Sequence, residues 1–341
     1  MNKADLEQIA ASIVTQDKGI LAADESSPTI KKRFDSINTD STEENRRDYR
    51  ELLFKTKNIS QYISGVILFH ETIYQNDSDG KPLVKVLTDQ GIVPGIKVDK
   101  GAKQLAGHPN ETITEGLDGL RERLEEYAEA GAKFTKWRAV ISIGDSIPSN
   151  YCIEANAHAL ARFARLSQEA GLVPIVEPEV LMDGAHSIDD CFRVTESVLK
   201  EVYDQLNRSQ VHLQGTLLKP NMVLSGKSAE GRANPEEVAQ ATVSCFKNTV
   251  PSSVPGIVFL SGGQSDKEAT INLDAINKYA QTVNAPWELS FSYGRGLQAA
   301  PLNAWQGKQV NMSKAQDVFF QRALVTSAAR NGAYSPSMEA V

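Results

Sequence analysis

Cysteine is scarce and scattered in this chain. Cys152, Cys191 and Cys245 lie far apart, with no CxxC and no paired histidine spacing. No disulfide framework and no metal site are expected, which suits a reducing compartment. Long hydrophobic runs are also missing: no stretch approaches the roughly 20 apolar residues of a membrane span, and Met1-Asn2-Lys3-Ala4-Asp5-Leu6-Glu7 has no secretory core. A soluble cytoplasmic protein with no membrane contact is therefore expected. Positive charge is in deficit, with 36 Lys and Arg against 43 Asp and Glu and a net charge of -7. With no basic block either, nucleic acid is not an expected partner, although a phosphate pocket needs only local positive charge. What the chain does have is 41% hydrophobic residues over 341 positions, enough for a sizeable core.

A recurring unit takes the place of a domain break. Short apolar runs end on polar residues: Gly19 to Ala23 into Asp24-Glu25-Ser26, Gly65 to Phe69 into His70-Glu71, and Ile92 to Ile96 into Lys97. The fourth, Ala132 to Arg138, alternates so that Phe134, Lys136 and Arg138 share a face. Leu172 to Val176 then runs into Glu177-Pro178-Glu179, and the sixth run ends in Lys219. Ile257 to Leu260 leads into Ser261-Gly262-Gly263, and Trp287 to Ser292 into Tyr293-Gly294-Arg295. Amphipathic segments alternate with these runs, over residues 119–129, 156–170, 188–205, 235–248 and 266–281, after an N-terminal helix over residues 1–16. The pattern predicts an α/β protein, a (β/α)8 TIM barrel forming a single domain over residues 1–341, with a short C-terminal tail from about residue 333. Two Rossmann-like halves are the alternative, but no glycine-rich dinucleotide fingerprint follows the first strand.

In such a barrel the polar groups at the strand ends converge on one pocket. Gly215-Thr216-Leu217-Leu218-Lys219-Pro220-Asn221 places a lysine at a strand mouth, where Pro220 stops the ladder. Burial and neighbouring cations would both disfavour its ammonium form and make it a nucleophile for Schiff-base chemistry on a carbonyl. The plain alternative is a strand-end lysine snorkelling to the surface. Lys97, Lys136, Arg138 and Arg295 supply further cations, and Asp24, Glu177 and Glu179 supply carboxylates able to shuttle protons or to form buried salt bridges. Ser261-Gly262-Gly263 and Gly294-Arg295 stand where barrels commonly hold a phosphate, with an ordinary turn as the alternative. Ser26, Thr29 and Arg33 would bind a second anion, or Ser26 or Ser27 would cap a helix. His70, beside Glu71, reads as a satisfied barrel histidine.

These segments, together with Gly95-Ile96-Lys97-Val98-Asp99-Lys100-Gly101 and Phe291-Ser292-Tyr293-Gly294-Arg295, resemble the class I fructose-bisphosphate aldolases in family order from about residue 5 to about residue 336. The resemblance implies a metal-independent aldehyde-lyase of glycolysis and gluconeogenesis that needs no cofactor, acts on a sugar phosphate and assembles as a homotetramer. It assigns Lys219 to the Schiff base, Glu177 to proton transfer in its formation and hydrolysis, and Asp24 to the C4 hydroxyl proton. Lys136 and Arg138 would polarise the site and contact substrate, with Glu179 ordering them. Ser261, Gly262, Gly263, Ser292 and Arg295 would hold the C1 phosphate, with Leu260 and Gly294 beside them. Ser26, Thr29, Arg33 and Lys97 would serve the C6 end; at Thr29 animal members usually carry serine.

One departure stands out. Animal members end in a tyrosine that helps protonate the enamine, whereas this sequence ends Tyr334-Ser335-Pro336-Ser337-Met338-Glu339-Ala340-Val341. The enamine proton would then come from water or Glu177, and the choice among fructose 1,6-bisphosphate, fructose 1-phosphate and sedoheptulose 1,7-bisphosphate stays open. A non-catalytic scaffold of the same fold is the reading from another class, disfavoured by the intact set Asp24, Lys136, Glu177 and Lys219.

Overall fold

The computed structural model describes residues 2–339. Parallel strands β1 (Gly19–Ala23), β2 (Ile63–Leu68), β3 (Val93–Lys97), β4 (Phe134–Ile141), β5 (Val173–Val180), β6 (Leu217–Leu218), β7 (Gly256–Phe259) and β8 (Glu288–Tyr293) close into one barrel. Sequence neighbours are sheet neighbours, and β1 against β8 shuts the seam, with Ile20 opposite Ser292 and Leu21 opposite Tyr293. All eight predicted strands are present. The strands β1, β2 and β5 are buried along their whole length; β1 reads as a continuous apolar run, whereas β5 also buries Glu177 and Glu179.

The sixth strand is the shortest. Leu213–Gly215 forms a 3-10 turn, so the extended segment predicted from Gly215 is confined to Leu217 and Leu218. Lys219 still donates its backbone N–H to Val176 O at 2.8 Å, and Pro220, which has no N–H, ends the ladder behind it. The lysine is thereby fixed to the barrel wall.

Four of the five intervening helices lie close to their predicted positions, at Leu120–Glu129, Ile188–Arg208, Pro235–Thr249 and Asp266–Thr282. The fifth, predicted from residue 156, starts at Asn150, because the Ser149 side chain accepts from Cys152 N and caps it two turns earlier. Two side-chain layers hold the barrel together. The interior is filled by Ile20, Ala22, Ile67, Phe134, Val173, Ile175, Leu217 and Val258, plugged from below by Leu6, Ala10 and Ile13 of the helix Lys3–Ile13. Their i, i+4, i+7 spacing puts these three on one helix face. Phe134 fits only because β3 carries Gly95 beside it, where a Cβ would overlap the ring. The outer layer joins strands to helices, with Trp137 of β4 stacked on Phe163. Cys152, Cys191 and Cys245 are buried and unpaired. Among the described residues no helix is long and apolar enough to cross a membrane.

The tail beyond residue 333 folds back on the barrel. Pro336–Glu339 forms a 3-10 turn, and Glu339 pairs with Arg322 at 2.6 Å. Tyr334 is buried, its N–H donating to Asp274 Oδ1. Ala340 and Val341 lie outside the described residues.

Candidate active site

Because all eight strands run the same way, their C-terminal ends open on one face. Side-chain alternation then selects which residues point inward. On β4 these are Lys136 and Arg138, and on β5 Glu177 and Glu179. Register sets Arg138 opposite Glu177 and Lys97 opposite Lys136. The resulting cleft has a volume of about 660 Å³ and is lined by Asp24, Ser26, Thr29, Arg33, Lys97, Lys136, Arg138, Glu177, Glu179, Lys219, Leu260, Ser261, Gly262, Ser292, Gly294 and Arg295. Every predicted site residue except Gly263 is among them. A Cβ on Gly263 would run into the Met182 thioether, outside the cleft wall. The predicted Ser-Gly-Gly phosphate loop therefore offers Ser261 and Gly262 to the cleft and turns its third residue away.

At the floor, opposite charges alternate. Lys136 Nζ lies 2.7 Å from Asp24 Oδ2 and 3.1 Å from Glu177 Oε2, and Lys219 Nζ lies 3.3 Å from Glu177 Oε1. Lys136, Glu177 and Lys219 keep 3%, 3% and 4% of their surface exposed. Burying such charges is tolerable only because each has an opposite partner. Burial works against the charge on Asp24, but Lys136, Lys219 and Lys97 outweigh it and hold its carboxyl well below the usual range. Burial opposes ionisation of Glu177 too, and Lys136, Lys219 and Arg138 overcome that and the nearby Asp24 charge, so its pKa is also lowered. Lys136 is the converse case: despite burial, Asp24, Glu177 and Asp99 keep it a firm ammonium.

The two lysines are thus not equivalent. Lys136 is clamped by two carboxylates, whereas the one ionic partner of Lys219 among the described residues is a Glu177 oxygen at 3.3 Å. Lys219 is the less tightly paired of the two.

Around this floor lie groups suited to anions. Arg295 donates to Gly262 O and ties the loop after β7 to the helix after β8. That helix, Arg295–Trp305, starts at the cleft, so its N-terminal dipole faces inward. Gly262 adopts a left-handed conformation with φ of 55°. The Ser292 hydroxyl is buried with no partner among the described residues, leaving it open to a ligand. Across the mouth, Lys97 pairs with Asp99 at 2.7 Å, and Arg138 pairs with Glu179. Glu179 and Arg138 hold each other despite burial, which raises the Arg138 pKa further above its ordinary value. Ser26 occupies the N-cap position of Ser27–Asp35, yet its hydroxyl caps no backbone N–H and sits 3.1 Å from Thr29 Oγ1. The capping expectation holds for its position and fails for its side chain.

Sequence reasoning missed Asp99, Glu25, Lys32 and Ser36 on the cleft wall. Asp99 was legible: two residues beyond Lys97, it continues the same alternating face. Its Oδ1 accepts from Gly101 N at 3.1 Å and its Oδ2 from Arg138 N at 3.2 Å. His70 is exposed, away from the cleft, with Nδ1 3.0 Å from the Tyr127 hydroxyl. It is satisfied, as predicted, but lies outside the barrel. A second concavity of about 750 Å³ is lined by Ile143, Ile147, Pro148 and His186, and the charge pair on its wall, Arg193 with Asp190, is exposed to solvent. Elsewhere Glu51, Asp77 and Asp79 approach one another as metal ligands do, but the Lys55 ammonium sits 2.8 to 2.9 Å from all three.

The family model described as fructose-bisphosphate aldolase class-I matches residues 5–341. The chain belongs to the class I fructose-bisphosphate aldolases. It is 56% identical over 324 residues to a probable fructose-bisphosphate aldolase class 1 of Xanthomonas campestris, spanning 95% of this chain and 96% of the relative. It is 53% identical to fructose-bisphosphate aldolase B of Mus musculus, spanning 97% of this chain and 91% of the relative. A solved fructose-bisphosphate aldolase of Plasmodium falciparum, in complex with TRAP and a small-molecule inhibitor, superposes with a TM-score of 0.95 at 49% identity, over 98% of this chain and 96% of that one. For this aldolase, all six catalytic positions that the resemblance implies lie together in the barrel mouth.

Proposed function

We propose that the cleft cleaves fructose 1,6-bisphosphate reversibly into dihydroxyacetone phosphate and glyceraldehyde 3-phosphate through a Schiff base on Lys219. The observation that carries this is the unequal pairing of the two buried lysines. Lys136 stays charged between Asp24 and Glu177, while Lys219 touches one shared carboxylate. Lys219 in its amine form adds to the C2 carbonyl, and the carbinolamine loses water with Glu177 handing over and taking back the proton. The iminium nitrogen then accepts the C3–C4 bonding electrons as Asp24 takes the proton of the C4 hydroxyl. Glyceraldehyde 3-phosphate leaves and an enamine remains. Protonation of its carbon and hydrolysis of the iminium release dihydroxyacetone phosphate and regenerate the amine.

The ionised state of Asp24 makes it a base that needs no prior activation, and the Lys136 ammonium beside it favours negative charge developing on the C4 oxygen. Ser261, Gly262, Ser292, Gly294, Arg295 and the helix N-terminus suit one phosphate, and Ser26, Thr29, Arg33 and Lys97 suit the other. Borohydride reduction in the presence of fructose 1,6-bisphosphate, after EDTA treatment, tests the chemistry. The expected result is an adduct on Lys219 in the peptide map with activity intact; activity lost to the chelator and no adduct at this position would defeat it.

On the resemblance, and because the Arabidopsis thaliana relative is named a cytosolic aldolase, we place the protein in the cytoplasm as a homotetramer. Light scattering on a gel-filtration peak should read four times the 37.2 kDa chain mass. A monomer peak at working concentration would overturn that assembly.

A further inference from the structure

Asp24 and Glu25 are consecutive, but their carboxylates serve different places. Asp24 joins the lysines at the floor, and Glu25 turns toward the surrounding helices. It is 7% exposed. Its Oε1 accepts from Arg33 Nη1 and, at 2.8 Å, from Gln298 Nε2, and its Oε2 accepts from Arg50 Nη2 at 2.5 Å. Gln298 Nε2 also donates to Ala22 O at 2.7 Å, which pins this carboxylate to β1 and to the helix that begins with Arg295.

The two guanidiniums differ in access. Arg33 keeps 25% of its side chain exposed and lines the cleft, close enough to the β8 loop that a Cβ on Gly294 would lie 3.7 Å from its Nη2. Arg50, on the helix Glu43–Phe54, keeps 4% and is absent from the cleft wall. Its Nη1 is buried without a partner among the described residues, as is Gln298 Oε1. One buried carboxylate therefore has a partly exposed partner on the cleft side and a buried one behind it.

A buried carboxylate stripped of its only cation is strongly unfavourable. Were Arg33 the sole cation on Glu25, it could not leave for an incoming anion. We propose that Arg50 is a positioning residue for phosphate capture: it neutralises Glu25 from behind, so that Arg33 can exchange that carboxylate for a phosphate of the substrate. This rests on the reading of Arg33 as a phosphate contact.

The test compares Arg50→Met, Arg33→Met, their double variant and Glu25→Gln in the full chain. The readouts are kcat and KM for fructose 1,6-bisphosphate and competitive inhibition by inorganic phosphate. Arg50→Met should raise both KM and the phosphate inhibition constant roughly tenfold while saturated kcat changes less than about threefold. The double variant should be no worse than Arg33→Met alone, because both act through one contact. Glu25→Gln, which removes the competing charge, should tighten phosphate inhibition; a merely structural role would weaken it. If Arg33→Met raises both constants and Arg50→Met changes neither, the inference fails and the reading of Arg33 stands. If Arg33→Met itself changes neither, that reading fails and takes the inference with it. Should Arg50→Met not fold, Glu25→Gln decides alone, and unchanged or weaker phosphate inhibition overturns the inference.

Discussion

Replacing Lys219 with methionine is expected to lower kcat for fructose 1,6-bisphosphate by at least about 10⁴-fold, the scale seen when a covalent nucleophile is removed. The fold should survive. The aliphatic stem is kept, and Glu177, which loses a neighbour at 3.3 Å, retains Lys136 at 3.1 Å. Borohydride should then trap no adduct anywhere in the cleft, because Lys136 remains committed to Asp24 and Glu177 as an ammonium. Rapid-quench activity and a peptide map of the reduced variant check both expectations together. An adduct appearing on Lys136 with appreciable turnover would show that the unequal pairing does not select the nucleophile.

Replacing Asp24 with asparagine should cost about 10² to 10⁴ in kcat, the range for a general base, while leaving Schiff-base formation in place. Lys219 and Glu177 keep their own 3.3 Å contact in that variant. Borohydride should accordingly trap the hexose bisphosphate on Lys219, because the C3–C4 bond cannot break without a base for the C4 hydroxyl. A variant within tenfold of the native kcat, or one that traps chiefly the triose adduct, would remove Asp24 from that role.

The same substitution has a signature in stability against pH. The lysines hold the Asp24 carboxyl below its unfolded value near 4. A group lowered in the folded state contributes stability that is fully present above the unfolded pKa and is lost as pH falls through the folded one. The native protein and Asp24→Asn should therefore differ most in denaturation midpoint at neutral pH and converge in strong acid. A gap that widens on acidification would contradict the charge pairing at the floor.

Much of this site is legible without coordinates, for a reason peculiar to the architecture. In a closed parallel barrel, whatever ends a strand arrives at the same face. Reading the polar residues at the ends of seven of the eight apolar runs gathered Asp24, Lys97, Lys136, Glu177, Lys219, Ser261 and Arg295 into one cleft, whereas His70, after the second run, lies away from it. Alternation along β4 and β5 added Arg138 and Glu179 on the same principle. The start of the helix at Asn150 was missed, although the serine before it, Ser149, is an N-cap signal that the sequence carries.

The order of the strands and the chemical inventory of the mouth were determined by the sequence itself, since both follow from hydrophobic periodicity and from which residue types end each run. The tertiary structure alone decided who pairs with whom. Asp24, Lys136, Glu177 and Lys219 come from four separate strand ends, and their contacts depend on strand register and barrel closure, which no local window encodes. Those contacts separate a lysine held by two carboxylates from one that shares a single carboxylate. They also place Arg50 behind Glu25 and turn Gly263 out of the cleft. Composition sets which charges are present, but only close packing sets the distances at which they act.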